Sequence, residues 1–391
     1  MIPRHVPALA LGTLALGVAE FSMMSILLPV ADDLGVTVPE AGHFISAYAA
    51  GVCAGVLIMA AAARKMPLKT LLLIIVGSYH LMLLSRFIAG LPHGAYFGAA
   101  GVLCTQLAEP GKASRDMCLM VAGMTIANLA GVPLASFLAW AVSWRAAFAI
   151  AAAAALITFS AIRITVPKVP ALPDSGFAAQ FRFLRSLEPW LVLGAIGLGN
   201  GGFFAYYSYV NPVMEHVAAV PASMMSVVIT LAGAGMVLGN LFCAKISSSF
   251  SDESLAAAGQ GVLLLSLASV FFLAHWSPAA IALTTLAAGC VFFISGPEQV
   301  LMIRNAKEGQ LLAASLAQVS FNAGNAVGAW LGGLPIDAGK AANWAAMPGF
   351  FLALAGFGLL FVNWLIHRVR EEERTAGRIA ALQDQIQSKM P

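Results

Sequence analysis

Residues 6–30 read VPALALGTLALGVAEFSMMSILLPV, and this stretch decides the fold. A helix of about 25 residues at 1.5 Å each reaches across the ~30 Å hydrocarbon core of a bilayer. A single acid, Glu20, stands near its middle. No small-residue cleavage site follows, so the run reads as a retained first span and not as a signal peptide.

Working outward, comparable runs recur at about 40–62, 67–78, 80–107, 115–142, 145–165, 190–213, 221–245, 255–274, 278–297, 312–334 and 345–366. Composition agrees: of 391 residues, 60% are apolar and 10% charged. Soluble domains run at about 45–50% and about 25%, so a soluble enzyme, a disordered chain and a disulfide scaffold are excluded. The runs are too continuous for β-barrel strands, which alternate with period two. Cys53, Cys104, Cys118, Cys243 and Cys290 stand singly, without disulfide or metal-ligand spacing. The net charge of +3 comes from scattered basic residues that form no nucleic-acid face.

The basic residues set the orientation. With twelve spans and a cytoplasmic N-terminus, 18 of the 21 Lys and Arg fall in cytoplasmic segments, from Arg4 and Arg64 through Arg304 to the tail. Arg145 and Lys340 fall outside, and Arg86 lies within a span. An odd span count spoils this split, so both termini are expected in the cytoplasm. The tightest stretch is span 3. Its apolar run, Leu68–Gly77, covers only about half of the core. Dropping it would invert every later loop, so span 3 is kept and expected to be shortened.

The longest polar interruption, 166–189, is rich in Pro and basic residues. It divides the chain into a first six-helix bundle (1–165), a cytoplasmic linker (166–189), a second six-helix bundle (190–367) and a charged tail (368–391). A short amphipathic piece, Phe177–Leu187, is expected on the membrane face. The halves echo one another: Gly12, Gly17 and Pro29 in span 1 match Gly194, Gly199 and Pro212 in span 7. Such repeats are what two-bundle carriers show.

An ionisable residue at mid-depth costs at least ~2.5–3.5 kcal/mol on insertion scales and so calls for a role. Glu20 is expected to carry a proton linked to cargo binding; a structural, span-capping carboxyl is the plainer alternative. Arg86 in span 4 is a candidate proton-relay partner or anchor, and otherwise snorkels outward. His93 lies two turns on, on the same face. His43 is expected at the interface, and Glu298, near the cytoplasmic end of span 10, is also expected to be interfacial, pairing with Arg304 or meeting water, with a coupling role as the alternative. Amides and aromatics supply a candidate cargo cavity: Asn128, Asn200, Phe203, Tyr206, Tyr207, Gln318, Asn322 and Asn325. Gln318, Asn322 and Asn325 share one face of span 11. Packing and interfacial anchoring remain an equal explanation for the aromatics. No Walker loop, GxSxG elbow, HExxH or paired Cys/His set occurs, so neither an enzyme, a cofactor nor a metal is expected.

Three stretches resemble the major facilitator superfamily, in particular its twelve-span drug:proton antiporter branch with sugar-efflux and arabinose-export-like proteins. They are ALGVAEFSMMSILLPVADDLGV (15–36), SRFIAGLPHGAYFG (85–98) and GMTIANLAGVPL (123–134) followed by WRAAF (144–148). The resemblance implies the twelve-helix major facilitator fold, with two six-helix bundles related by a pseudo-two-fold axis. It implies that Arg86 is tied to proton transfer, and that Gly123, Gly131 and Pro133 allow close packing between the halves. The family's gate pattern after span 2 is matched only loosely by Gly55, Arg64, Lys65 and Lys69, and its acid is missing.

The function expected is proton-coupled efflux of a small amphipathic drug or sugar-like molecule by alternating access. The protein is expected to work as a monomer in the inner membrane, with protons and lipid as its other partners and no nucleic acid. A facilitated-diffusion or uptake carrier, and a non-transporting membrane sensor, remain the alternatives.

Overall fold

A computed structural model describes residues 5–36, 43–45, 47–55, 79–167, 177–221, 224–306 and 309–387. Every regular element among them is a helix. The first half holds α1 (His5–Ser25), α2 (Leu27–Leu34), a helical stretch over 47–55, α3 (Tyr79–Leu107), α4 (Ala113–Ile126), α5 (Val132–Ala141) and α6 (Arg145–Thr165). The second half holds α7 (Leu187–Tyr207), α8 (Met225–Ile246), α9 (Asp252–Leu273), α10 (Ser277–Asn305), α11 (Gln310–Asp337) and α12 (Ala346–Gln387). The expected short span 3 and the loop with Arg64, Lys65 and Lys69 lie outside the described residues.

Among the described residues, eight helices are long and apolar enough to cross a membrane, by length and composition. The helices α7 and α11 are not in that set. Their glycines and amides dilute the apolar content, and these two helices pack face to face. Gly197, Gly201 and Ala205 of α7 oppose Gly324, Gly328 and Gly332 of α11, and a Cβ on any of the latter three would strike an α7 carbonyl. Without a hydrophobic drive between helices in lipid, such small-residue ladders hold backbones together.

In the first half α1 packs on α4 and α6; in the second, α7 lies between α11 and α12, and α10 between α8 and α9. The halves meet where α4 touches α8 and α10 and where α3 touches α11. Gly123 and Gly131 were expected at that seam, but both face α1 within their own half. A Cβ at Gly123 would strike the Ala10 carbonyl and the Thr13 hydroxyl, and one at Gly131 would strike Val18. Glycines that do meet the other half include Gly233 of α8, set against Asn128 and Leu129, Gly98 against Ser315 and Gly296 against Cys118. Pro133 sits in the first turn of α5, directly after a π-helical turn at Ala127–Gly131. Proline has no N–H to continue the ladder and its ring crowds the preceding turn, and a widened turn absorbs both.

One end of the molecule gathers charge. Ser251 caps α9, its hydroxyl accepting from the Ser254 N–H at 3.3 Å, and Asp252 and Glu253 occupy the first turn. Acids there suit the positive end of the helix dipole. Asp252 accepts from Ser114 of α4, which ties the halves together. Glu253 pairs with Arg304 at the end of α10 and with His367 of α12 at 3.4 Å. At the opposite end Asp33 pairs with Arg145 at 3.0 Å and accepts from the Trp144 indole at 2.9 Å.

Helix α12 runs unbroken through 367–368, where the tail was expected to begin, and Arg370 reaches Glu188 at the start of α7. In the amphipathic piece after the first half, Phe183 is buried against the second half and is not laid on a membrane face.

Candidate functional site

Two groups of buried polar side chains stand out among the described residues. The first lies inside the first half, where α1, the stretch 47–55 and α3 converge. Glu20 is 5% exposed, Arg86 2% and His93 0%. The Glu20 carboxyl lies 3.8 Å from His93 Nδ1, and the same nitrogen meets the Tyr48 hydroxyl at 2.9 Å. Which of them donates depends on the histidine tautomer. Arg86 does not snorkel. Its guanidinium donates to the carbonyls of Ala19 at 2.7 Å, Glu20 at 3.4 Å and Phe44 at 3.4 Å. It also lies 4.5 Å over the Tyr48 ring. The side chain thus clasps α1 and residue 44 to α3 and sets a fixed positive charge near Glu20. Carboxyl and phenol both face His93 Nδ1, so the three groups gather around one nitrogen that can hold a proton.

The sequence anticipated three of these four residues. Tyr48 was missed: one tyrosine in an apolar span carries no signal, and only the fold brings it to His93.

The second group lines the seam. A cavity of about 30 Å³ is walled by Phe97 of α3, Val121 and Met124 of α4, Ile196 of α7, Phe292, Ser295, Glu298 and Gln299 of α10, and Ala317, Gln318 and Phe321 of α11. That is room for about one water. Glu298 was expected at the interface but is 2% exposed, with Asn200 as its hydrogen-bonding neighbour. The apolar run was expected to end at 297, but α10 continues through Pro297 to Asn305 and draws the acid inside. Phe97 separates the two groups: its ring stacks on His93 at 5.1 Å and its far side faces the cavity.

Of the expected cavity residues, Gln318 lines the wall and Asn200 borders it through Glu298. The others do not reach it. Asn128 turns back to the Met124 carbonyl at 3.0 Å, and Asn322 to that of Gln318 at 3.0 Å. Tyr206 bonds Thr284 at 2.6 Å, Tyr207 stacks on the buried Phe203 at 4.7 Å, and Asn325 is half-buried away from the wall. A larger groove of about 710 Å³ between the starts of α8 and α10 is lined by residues such as Val220, Met224, Leu231 and Ile281 and carries no titratable side chain.

The family profile described as Major Facilitator Superfamily matches residues 9–311. A relative named AraJ, from Escherichia coli (strain K12), is 36% identical over 368 residues, which cover 91% of this chain and 93% of the relative. A chloramphenicol resistance protein of Streptomyces lividans is 27% identical, covering 84% of this chain and 88% of its own. Among solved structures, the E. coli fucose:proton symporter FucP shares the fold with a TM-score of 0.66 at 17% identity, over 92% of this chain and 98% of that one.

Proposed function

Since the chain belongs to the major facilitator superfamily and is a multi-pass membrane transporter, we propose that it exports a small amphipathic molecule in exchange for protons. The observation that carries this reading is the buried Glu20–His93–Tyr48 group in the first half, beside a seam cavity in the middle of the molecule. A buried carboxyl is costly as a charge even with Arg86 nearby, and taking up a proton removes that charge. The efflux direction draws on the span-5 stretch 123–134 and on the name of the Streptomyces relative. The distribution of basic residues supports a cytoplasmic position for the charged end and both termini.

In this account Glu20 takes a proton from outside and releases it inside while the halves rock about the seam. Arg86 holds α1 against α3 and balances the Glu20 carboxylate once the proton has been released. Phe97 touches both sites, and proton and cargo are linked by their different affinities for the two states of the carrier. Gln318, Asn200 and the aromatic rings of Phe97, Phe292 and Phe321 receive the cargo once the seam opens. The test is a screen of labelled sugars and cationic dyes in inverted vesicles, with and without a pH gradient. Gradient-dependent accumulation of a member of that panel is expected. Accumulation that persists with the gradient collapsed contradicts proton coupling.

A further inference from the structure

We infer that the proton travels between Glu20 and the seam cavity through the ring of His93, and that Phe97 is the shutter on this route. The inference rests on the proposed role of Glu20 as the proton carrier and names the path to it. Two observations carry it. His93 Nε2 is buried and has no hydrogen-bonding partner among the described residues, whereas Nδ1 faces both Tyr48 and Glu20. A buried ring nitrogen left bare is costly, and an imidazole passes protons by taking one at one nitrogen and giving one from the other. The second observation is what covers that ring. Phe97, one helical turn on, stacks on it at 5.1 Å and 13° and is 1% exposed. Phe97 lines the cavity and His93 does not. One apolar ring thus parts the imidazole from Ser295, Glu298, Gln299 and Gln318 of the cavity wall.

The shutter has a reason to move. Ser315 of α11 donates to the Gly94 carbonyl at 3.1 Å, and a Cβ at Gly98 would strike the Ser315 hydroxyl. The stretch of α3 that carries both rings is therefore tied to the other half. Parting of the halves at this end breaks the tie, and opening at either end widens the cavity. Phe97 then turns into that space about its own side-chain torsions, and water reaches Nε2. In the state open to the outside, this water gives a proton to Nε2 of the Nδ1–H tautomer, and Nδ1 hands its proton to the Glu20 carboxylate. In the state open to the inside, Glu20 returns a proton to Nδ1 and Nε2 releases its own to water. The gap between acid and ring, 3.8 Å, closes with a small torsion of the acid. Each pass swaps the tautomer and the next restores it, so one cycle moves one proton and leaves the ring as it began. The Tyr48 hydroxyl suits both forms, since it donates to a bare Nδ1 and accepts from Nδ1–H. Arg86 stays fixed on its three carbonyls and takes no proton. Across Phe97, Glu298 is the acid of the cavity wall, and α4 presents only Val121 and Met124 there.

The experiment follows proton exchange by purified full-length protein, without cargo, in a stopped-flow pH jump read by a pH-sensitive dye. The phase of interest is the one that Glu20→Gln lacks. Phe97→Ala should speed this phase by about tenfold at unchanged amplitude, the scale of one hydrogen bond regained by a buried group. Phe97→Val, a milder opening, should fall between that variant and wild type and guards against a folding defect. Phe97→Tyr, which keeps the ring, should exchange as wild type does. Adding His93→Gln to Phe97→Ala should cancel the gain, because an amide does not relay a proton. A rate unchanged in both Phe97→Ala and Phe97→Val, or a fast phase that survives His93→Gln, overturns the proposal. Its failure is separate from that of proton coupling. An exchange rate blind to Phe97 leaves gradient-driven transport dependent on Glu20; transport that ignores the pH gradient leaves the exchange rates as they stand.

Discussion

Tyr48 shows what a single hydroxyl does in the proton-holding group. Its oxygen meets His93 Nδ1 at 2.9 Å, while the same nitrogen faces Glu20 at 3.8 Å. Tyr48→Phe removes that partner and keeps the ring under Arg86. We expect a folded protein whose transport–pH profile moves, by about one hydrogen bond's worth, ~1 kcal/mol, or roughly fivefold in rate at a fixed pH. An unmoved profile, measured in vesicles, removes Tyr48 from the mechanism. Glu20, Arg86 and His93 were legible because ionisable side chains in apolar runs are conspicuous. Tyr48 and Glu298 were not. A tyrosine is ordinary in a span, and Glu298 follows Gly296–Pro297, a pair that reads as the end of a helix. Helix α10 passes through Pro297 because packing against its neighbours supports the turn that proline weakens.

At the scale of elements, the α7–α11 ladder is the tightest test of packing. Gly328→Leu drives a side chain into the Gly201 carbonyl. Overpacking of this kind costs about 1–3 kcal/mol or more, so the thermal midpoint of the purified protein should fall clearly; no change contradicts the ladder. The Asp33 clasp carries a pH signature. The Trp144 hydrogen bond, with Arg145 adding its charge, holds the carboxyl below its ordinary 3.8. Its contribution is therefore complete above pH 3.8 and fades as the pH falls through the lowered value. Melting of wild type and Asp33→Asn should differ at pH 7 and converge in strong acid, and a gap that widens in acid has the wrong sign. Helix existence was plain from the apolar runs. The π-helical turn before Pro133 and the facing of Gly123 and Gly131 toward α1 were not, since spacing alone does not say which neighbour a glycine admits.

On the scale of the molecule, the charged end is closed. Gly98 is set against Ser315, Ser114 against Asp252, and Gly296 against Cys118. Cys118 of α4 and Cys243 of α8 meet thiol to thiol across the halves. Alternating access requires them to part. Copper-phenanthroline oxidation should join them and stop transport, dithiothreitol should restore it, and Cys118→Ser should be insensitive. Continued transport with the bridge formed, verified by mass spectrometry, contradicts rocking at this seam. The twelve-span plan was readable from the basic residues because one misplaced span inverts every later loop. The seam itself was hidden, because it joins residues as far apart as Phe97 and Phe321.

The most direct measurement is accumulation of labelled cargo in inverted vesicles under an imposed pH gradient, comparing wild type with Glu20→Gln. The account predicts gradient-driven accumulation by wild type and only passive equilibration, or none, by a folded Glu20→Gln. Full gradient-driven accumulation by that variant contradicts it.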